Sequence, residues 1–154
     1  MRVRLQYWWF LCGFLVVVLD QVTKYWALNH LILYQPKAVF PGFNWTLAYN
    51  TGAAFSFLHS AGAWHHGFFL MLGLLMSVIL VIWMLKTPPK CHQQWFGLSL
   101  ILGGALGNVV DRIHLGFVVD FIDWYYQSYH WPAFNIADSA ICMGAFVLIL
   151  ASRS

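Results

Sequence analysis

The chain has 154 residues, of which 61% are hydrophobic and only 8% are charged, and its formal net charge is +3. Soluble domains and disordered chains both carry far more polar surface, so this composition excludes both classes and indicates one membrane domain over residues 1–154. The basic residues are scattered along the chain rather than arranged in a stripe, so we expect no nucleic-acid partner.

Four apolar segments follow one another along the chain, over residues 7–28, 67–85, 95–110 and 136–151. Each approaches the roughly 17 to 25 residues that a membrane-spanning helix needs, although the last two are slightly short. The first follows the sequence MRVR and imitates a signal peptide, but it lacks a small-residue cleavage pattern and continues through Asp20 and Lys24. The predicted fold class is therefore an all-α membrane protein with four transmembrane helices.

The basic residues at the segment ends predict the orientation of these helices. One side of the membrane holds Arg2, Arg4, Lys86, Lys90 and Arg153, whereas the other holds only Lys37 and Arg112. Because positive charge is enriched on the cytoplasmic side, both termini should be cytoplasmic. The larger connections, residues 29–66 and 112–135, should then face outward.

The first outer connection contains two distinct stretches. Residues 43–50, FNWTLAYN, combine partial alternation with aromatic side chains and predict a short strand. Residues 53–66, AAFSFLHSAGAWHH, are apolar and carry few charges, which fits either a segment on the membrane surface or an ordinary packed loop.

The cysteines and histidines do not indicate a metal centre. Three cysteines, Cys12, Cys91 and Cys142, form neither a disulfide framework nor a metal-binding pair. The seven histidines include no HExxH pattern, and the chain has no glutamate to complete such a site. We therefore expect neither a metal nor a cofactor.

Aspartates on three different segments fall at one depth. Counted from Arg4 and Trp95 on the cytoplasmic side, Asp20 and Asp111 lie ~24 Å along their helices, and counted from Arg153, Asp138 lies ~22 Å along its own. Against a hydrocarbon core of about 30 Å, all three lie at one level just inside the outer surface. The sequence thus predicts that three helices bring carboxylates together.

The polar residues of the first and third segments also have simpler structural explanations. Asp20 and Lys24 are four residues apart and can form an ion pair whose lysine reaches outward to the interface. Asn108, Asp111 and Arg112 are placed to cap the end of the third helix.

Capping also accounts for part of the fourth segment, but it does not account for Asp120. Asn135 is a good N-cap, and Asp138 then occupies the third helical position, where a carboxylate meets the helix dipole favourably. Asp120 has apolar residues at 117–119 and 121–122, so burial should raise its pKa unless a neighbour compensates. A second carboxylate held close would share its proton.

Two carboxylates that share a proton are the working parts of an aspartic protease, in which one activates water and the other polarises the peptide carbonyl. Ion or proton translocation by a small transporter is an alternative use of intramembrane carboxylates, although no ionisable residue lies in the inner halves of the helices to carry a proton across. A noncatalytic scaffold that binds lipid through its aromatic outer loop is a third hypothesis.

Five motifs together resemble those of the lipoprotein signal peptidases (signal peptidase II) of bacteria. In the family's order and spacing they are DQVTK at 20–24, NTGAAFS at 50–56, GNVVDR at 107–112, VVDF at 118–121 and FNIAD at 134–138. The resemblance implies a multi-pass inner-membrane aspartic endopeptidase with a small extracytoplasmic β-rich cradle and a surface helix within residues 38–66. Such an enzyme removes signal peptides from prolipoproteins by cleaving before a diacylglyceryl-modified cysteine on the extracytoplasmic side.

The resemblance also implies roles for individual residues. By position within the motifs, Asp120 and Asp138 look like the catalytic dyad, and the helix dipole leads us to expect Asp138 as the first base and Asp120 as the acid. Further residues match family positions that support the site or contact substrate and the peptide antibiotic globomycin, namely Asp20, Lys24, Asn50, Gly52, Asn108, Arg112 and Asn135. Membrane lipid is a further implied partner.

Overall fold

The computed structural model describes residues 5–52 and 64–152. After a short 3₁₀ turn at Leu5–Tyr7, the described residues form four α-helices, namely α1 (Trp8–His30), α2 (Trp64–Lys86), α3 (His92–Leu115) and α4 (Ile136–Ala151). Within the described residues, Trp8–His30, His66–Lys86 and His92–Leu115 are long and apolar enough to cross a membrane, while α4 is apolar but has only 16 residues. The structure thus gives helices at all four predicted segments, three of them of spanning length.

The helix surfaces explain why so apolar a chain folds in this way. Helix α2 exposes large apolar side chains around much of its circumference, including Met71, Leu75 and Leu85. A helix that is hydrophobic all round belongs in a core or in lipid, and these side chains have no core to enter. The arrangement is that of a multi-pass membrane protein.

Helix α3 is the centre of the bundle, and close approach to its neighbours depends on glycine. A Cβ added at Gly103 would lie 2.5 Å from the carbonyl oxygen of Gly13 on α1, and one at Gly97 would lie 2.9 Å from that of Gly144 on α4. Small residues let helix backbones touch in this way, which compensates for the lack of a hydrophobic driving force between helices in lipid. Helix α2 packs on the same helix, where Gly73 faces Val109.

The end of α3 differs from the sequence prediction. The segment was expected to end near residue 110, with Asn108, Asp111 and Arg112 as capping residues. This prediction was wrong, because the helix continues to Leu115 and ends at Gly116, which adopts a left-handed conformation (φ +84°) and donates its N–H to the carbonyl of Arg112. The polar residues therefore lie inside the last turns of the helix, where their side chains face the neighbouring elements.

The connections between helices form an antiparallel sheet in the order β1 (Lys37–Phe40), β2 (Phe43–Asn50), β3 (Val118–Tyr126) and β4 (Tyr129–His130). The predicted strand at 43–50 is confirmed as β2. Strand β3 was missed, although its β-branched and aromatic residues are those that strands favour. Of the possible surface segment at 53–66, residues 53–63 lie outside the described residues.

The sheet is attached to the ends of the helices by an apolar cluster and a short backbone pairing. The cluster joins the end of α1 to β2 and β3 and consists of Ala27, Leu31, Leu47, Val119 and Phe121. Just before α4, Phe134 accepts hydrogen bonds from the backbone N–H groups of Phe121 and Ile122 and donates its own N–H to Ile122. This pairing places the start of α4 directly beside Asp120 on β3.

Candidate active site

A buried ion triad links α1 to α3. The Nζ of Lys24 lies 2.8 Å from Asp20 Oδ2 and 2.9 Å from Asp111 Oδ2, and all three side chains are at most 3% exposed. The predicted pairing of Asp20 with Lys24 is confirmed, but the alternative in which the lysine reaches outward to the interface is wrong. Lys24 turns inward because two carboxylates compensate for the cost of burying its charge.

Helix α4 joins the same cluster through its first turn. Asp20 Oδ1 accepts a 2.9 Å hydrogen bond from the backbone N–H of Ala137. A Cβ added at Gly107 would lie 2.6 Å from Asp20 Oδ2, so only glycine leaves room for this carboxylate on α3. Three helices therefore converge on one polar layer, as the depth argument predicted.

Asp111 is fully occupied by structural hydrogen bonds. Its Oδ2 accepts the backbone N–H of Val119 at 2.9 Å and contacts Lys24, while its Oδ1 accepts the amide of Gln21 at 2.8 Å. A carboxylate held by these donors fixes the start of β3. Gln21 lies within the DQVTK motif but was not among the predicted site residues, although an amide beside Asp20 in an apolar helix is a usable signal.

Asn108 connects the ion triad to Asp138. Its Oδ1 accepts a hydrogen bond from Lys24 Nζ at 3.0 Å, and its Nδ2 donates to Asp138 Oδ1 at 2.8 Å. Because an amide is an acceptor at one end and a donor at the other, the lysine charge orients Asn108 with its N–H toward the carboxylate. Asn108 is therefore held as a hydrogen-bond donor to Asp138.

Asn135 joins Asp138 to Asp120. The predicted cap is confirmed, because Asn135 Oδ1 accepts the N–H of Asp138 at 2.9 Å while Asp138 Oδ2 accepts the N–H of Asn135 at 3.3 Å. The same side chain donates from Nδ2 to Asp120 Oδ1 at 2.7 Å. One asparagine therefore begins α4, positions Asp138 and holds Asp120.

Asp120 is almost fully buried, with 2% of the residue exposed. Burial and the negative charge of Asp138 raise its pKa to about 7, although hydrogen bonds from Asn50 and Asn135 and the charge of Lys24 oppose the rise. Asn50 donates to Asp120 Oδ2 at 3.1 Å from the end of β2. Near neutral pH this carboxyl group is therefore divided between its protonated and ionised forms.

The turn at Gly52 sets the direction of the Asn50 amide. Asn50 Oδ1 accepts the backbone N–H of Gly52 at 2.8 Å, which leaves Nδ2 pointing at Asp120. Gly52 has a φ of +86°, and an added Cβ would meet the ring of Phe69 at 2.3 Å. The turn requires glycine for both reasons.

Arg112 lies beside this turn rather than in an ion pair. Its guanidinium is 5.7 Å from the centre of the Phe69 ring, and its Nη1 donates to the carbonyl of Asn108 at 3.3 Å. Among the residues that the structure describes, no carboxylate lies within 4 Å of this guanidinium. Phe69 thus packs between Arg112 and Gly52, a position that nothing in the sequence motifs indicated.

Asp123 lies apart from this site, three residues beyond Asp120 on β3. It accepts hydrogen bonds from Asn44 at 3.0 Å, Thr46 at 3.0 Å and His130 at 2.9 Å. Burial acts to raise its pKa, but these hydrogen bonds and the nearby histidine outweigh burial and leave the pKa below its usual range. This carboxylate holds strands together.

All nine residues expected at the site lie in or beside one network. Asp20, Lys24, Asn50, Asn108, Asn135 and the two aspartates are joined by hydrogen bonds, Gly52 supports Asn50, and Arg112 contacts Asn108. In the part of the chain that the structure describes, no group of three or more histidine, cysteine or aspartate side chains could hold a metal ion. The chemistry available is that of two neighbouring carboxylates, one buried (Asp120) and one partly buried (Asp138).

Comparisons with known proteins agree with the sequence motifs. A family model described as Signal peptidase (SPase) II matches residues 12–153. The chain is 52% identical over 142 residues to a lipoprotein signal peptidase of Acinetobacter baumannii, covering 92% of this chain and 81% of that protein. It is 49% identical over 141 residues to a lipoprotein signal peptidase of Teredinibacter turnerae, with 92% and 84% covered.

A solved structure shows the same fold. A bacterial membrane enzyme determined by the in meso method at 1.9 Å resolution matches with a TM-score of 0.81 at 35% sequence identity. The match covers 92% of this chain and 89% of the other.

Proposed function

Because this chain belongs to the signal peptidase II family, we propose that it removes signal peptides from bacterial prolipoproteins as an aspartic endopeptidase whose catalytic residues are Asp120 and Asp138. Family membership makes it a membrane protease. The observation that carries the aspartic assignment is the position of Asn135, which binds both carboxylates, at 2.7 Å for Asp120 and 3.3 Å for Asp138. Of the five aspartates, these two are held together by Asn135, and among the described residues no Lys, Arg or His nitrogen lies within 4 Å of either carboxylate.

In the proposed reaction Asp138 is the first base and Asp120 the first acid. Ionised Asp138 accepts a proton from water as the water oxygen attacks the scissile carbonyl carbon. Protonated Asp120 transfers its proton to the carbonyl oxygen, which becomes a hydroxyl of the tetrahedral intermediate and leaves Asp120 ionised. The proton held by Asp138 then passes to the amide nitrogen, the C–N bond breaks, and Asp120 recovers its proton from the hydroxyl.

The two environments support this division of roles. The raised pKa of Asp120 keeps a proton available near neutral pH. Asp138 stands at the third position of α4, where the helix dipole favours negative charge, and it also accepts a hydrogen bond from Asn108. Two carboxylates whose environments differ in this way are a recognised pattern of acid and base assignment.

The other residues of the network hold this pair in place. We propose that Asp20, Lys24 and Asn108 hold the end of α1, the last turns of α3 and the start of α4 together. Asn50 and Gly52 orient Asp120. Arg112 lies on the same side of the bundle, where a peptide carbonyl or carboxylate of the substrate, or of the antibiotic globomycin, can reach it.

The substrate places further requirements on the location of the site. A prolipoprotein cleaved before a diacylglyceryl-modified cysteine brings its scissile bond to the level at which its acyl chains enter the bilayer. We propose that the dyad lies at this level on the extracytoplasmic side of the inner membrane, with both termini cytoplasmic. Lys86 and Lys90, between α2 and α3 at the opposite end of the bundle, support this orientation.

Helix α4 completes a four-helix transmembrane bundle in this proposal. Its 16 residues extend about 24 Å, which is slightly less than a hydrocarbon core of about 30 Å. It packs along α3 from Ala137, beside Gly104, to Gly144, beside Gly97. Its other face exposes Phe146 and Ile149, as a lipid-facing surface requires.

A transporter gains no support from the same residues. The comparisons match peptidases, and apart from Lys86, the last residue of α2, the halves of the four helices remote from the dyad carry no Asp, Lys or Arg that could relay a proton. The polar layer is therefore a site at one end of the bundle rather than part of a path through it.

Cleavage of a purified diacylglyceryl-modified prolipoprotein tests the proposal. Mass spectrometry should show a product that begins with the modified cysteine, and globomycin should block its formation. The same precursor without the diacylglyceryl group is the matched control and should remain uncut. Failure of the folded enzyme to cut the modified precursor would overturn the proposal.

A further inference from the structure

An unusually aromatic hairpin ends the sheet beyond the site. The strands β3 and β4 meet in residues 124–131, WYYQSYHW, a segment without Asp, Lys or Arg that we call the aromatic hairpin. Its largest rings are exposed, with exposed fractions of 48% for Trp124, 77% for Tyr126, 83% for Tyr129 and 70% for Trp131. Contiguous exposed apolar surface of this kind marks an interaction site.

A series of ring contacts connects the aromatic hairpin to a membrane helix. Trp26 of α1 contacts Trp45 at 5.4 Å between ring centres, Trp45 contacts Phe43 at 4.6 Å, and Phe43 contacts Trp124 at 4.9 Å. Trp26 lies one turn from the end of α1, next to Tyr25, which is 71% exposed. Through these rings, of which Phe43 is buried, the hairpin is therefore packed onto the part of α1 that leaves the hydrocarbon core.

The residue types indicate which layer the hairpin contacts. Tryptophan and tyrosine combine an apolar ring with an N–H or O–H group, and they concentrate at the boundary between acyl chains and headgroups. A surface for the hydrocarbon core would instead favour leucine and isoleucine, as on α2. We propose that the aromatic hairpin lies in the interfacial layer of the bilayer, with its rings among lipid carbonyl and headgroup atoms.

The hairpin is fastened firmly enough to hold a fixed depth. His130 pairs with Asp123 at 2.9 Å and stacks on Tyr125 at 5.2 Å between ring centres, while Asp123 is also held by Asn44 of β2. Trp124 lies four residues from Asp120 along β3, which is ~13 Å for an extended strand. Anchoring the hairpin therefore sets the height of Asp120 relative to the membrane surface.

Depth-dependent fluorescence quenching tests this proposal. In a variant without the three native cysteines, Tyr126→Cys and Tyr129→Cys are labelled separately with the environment-sensitive fluorophore NBD and reconstituted into phosphatidylethanolamine–phosphatidylglycerol vesicles. Phe146→Cys on α4 provides the acyl-chain reference, and NBD attached to glutathione provides the aqueous one. Retained cleavage activity identifies folded protein, but the fluorescence does not depend on activity, so the two proposals can fail separately.

The expected result is intermediate depth at both hairpin positions. Emission should be shifted to the blue of the aqueous reference, and lipid carrying a nitroxide near the headgroup should quench it about twofold more than lipid carrying a deep nitroxide. Adding Trp131→Ser to the protein labelled at 129 should at least halve this quenching. Emission and quenching equal to the aqueous reference, or quenching unchanged by Trp131→Ser, would overturn the proposal.

Discussion

Asp120 and Asp111 show how neighbours decide what a buried carboxylate can do. Asp111 is bound by Lys24, Gln21 and the N–H of Val119, so its charge is compensated and its oxygens are occupied. Asp120 receives hydrogen bonds from two neutral amides and lies near another carboxylate, so its pKa is raised to about 7. Burial is similar for the two side chains, but of the two only Asp111 forms an ion pair.

The pKa of Asp120 predicts the alkaline limit of activity. As pH rises through about 7, Asp120 loses the proton that should bind the substrate carbonyl, so kcat/KM should fall. The hydrogen bond from Asn50 favours the ionised form, so Asn50→Ala should raise the pKa and move this limit to higher pH. The profile of kcat/KM against pH measures both effects, with Asn29→Ala at the exposed end of α1 as the control. A limit that Asn50→Ala leaves in place, or moves to lower pH, would contradict this account.

The ion triad predicts a large effect on stability. Lys24→Met removes the cation that lies between Asp20 and Asp111, and uncompensated buried charge typically costs about 3–5 kcal/mol. Denaturant unfolding in detergent micelles should show a loss of this size in the free energy of unfolding. Lys37→Met, on the exposed strand β1, should change it by less than about 0.5 kcal/mol. Equal effects of the two substitutions would mean that the triad contributes little.

At the scale of elements, the contact between α3 and α4 positions Asp138, the proposed base. A Cβ added at Gly104 would lie 2.3 Å from the backbone oxygen of Ala137, the residue before Asp138, and backbone cannot move aside as a side chain can. Gly104→Ala should therefore displace the start of α4 and lower kcat/KM by about tenfold or more, because small misplacements of catalytic groups are costly.

A glycine at an open position provides the control for this substitution. A Cβ at Gly67 of α2 meets no atom within 4 Å, so Gly67→Ala adds the same methyl group without a clash. Activity within about twofold of the original protein is expected there, since Ala is the better helix former. A Gly104→Ala enzyme as active as Gly67→Ala would show that the helix contact does not position Asp138.

The four helical segments and β2 could be predicted because each is indicated by the hydropathy and residue types of its own stretch of sequence. Length, hydropathy and the fixed rise per residue were enough to place Asp20, Asp111 and Asp138 in one layer. Strand β3 was not predicted, because its pairing with β2 and Phe134 is made by residues distant in sequence. For the same reason, the sequence alone left the role of Asp111 open, since its partner Val119 N–H is placed only when β3 forms. The apolar neighbours of Asp120 drew attention to it, but the resemblance, rather than the pattern, put Asp120 and Asp138 ahead of Asp111 as the expected dyad.

At the scale of the whole molecule, a lipid-adapted bundle carries a polar layer at one end. The residues of this layer come from distant parts of the sequence, from Asp20 to Asp138. The sheet between the helices places Asp120 beside the start of α4. The family relationship makes the molecule a membrane protease, and in the proposed mechanism Asp120 and Asp138 supply its acid and its base. That mechanism depends on the two carboxylates acting together.

The most direct measurement compares cleavage by the original protein, Asp120→Asn and Asp138→Asn on a diacylglyceryl-modified prolipoprotein. Each substitution should lower kcat about 100-fold or more, because it removes one member of the acid–base pair. Asp123→Asn is the matched control on the same strand and should retain activity within about tenfold, with circular dichroism verifying the fold of every variant. Near-normal cleavage by folded Asp120→Asn or Asp138→Asn would contradict the dyad.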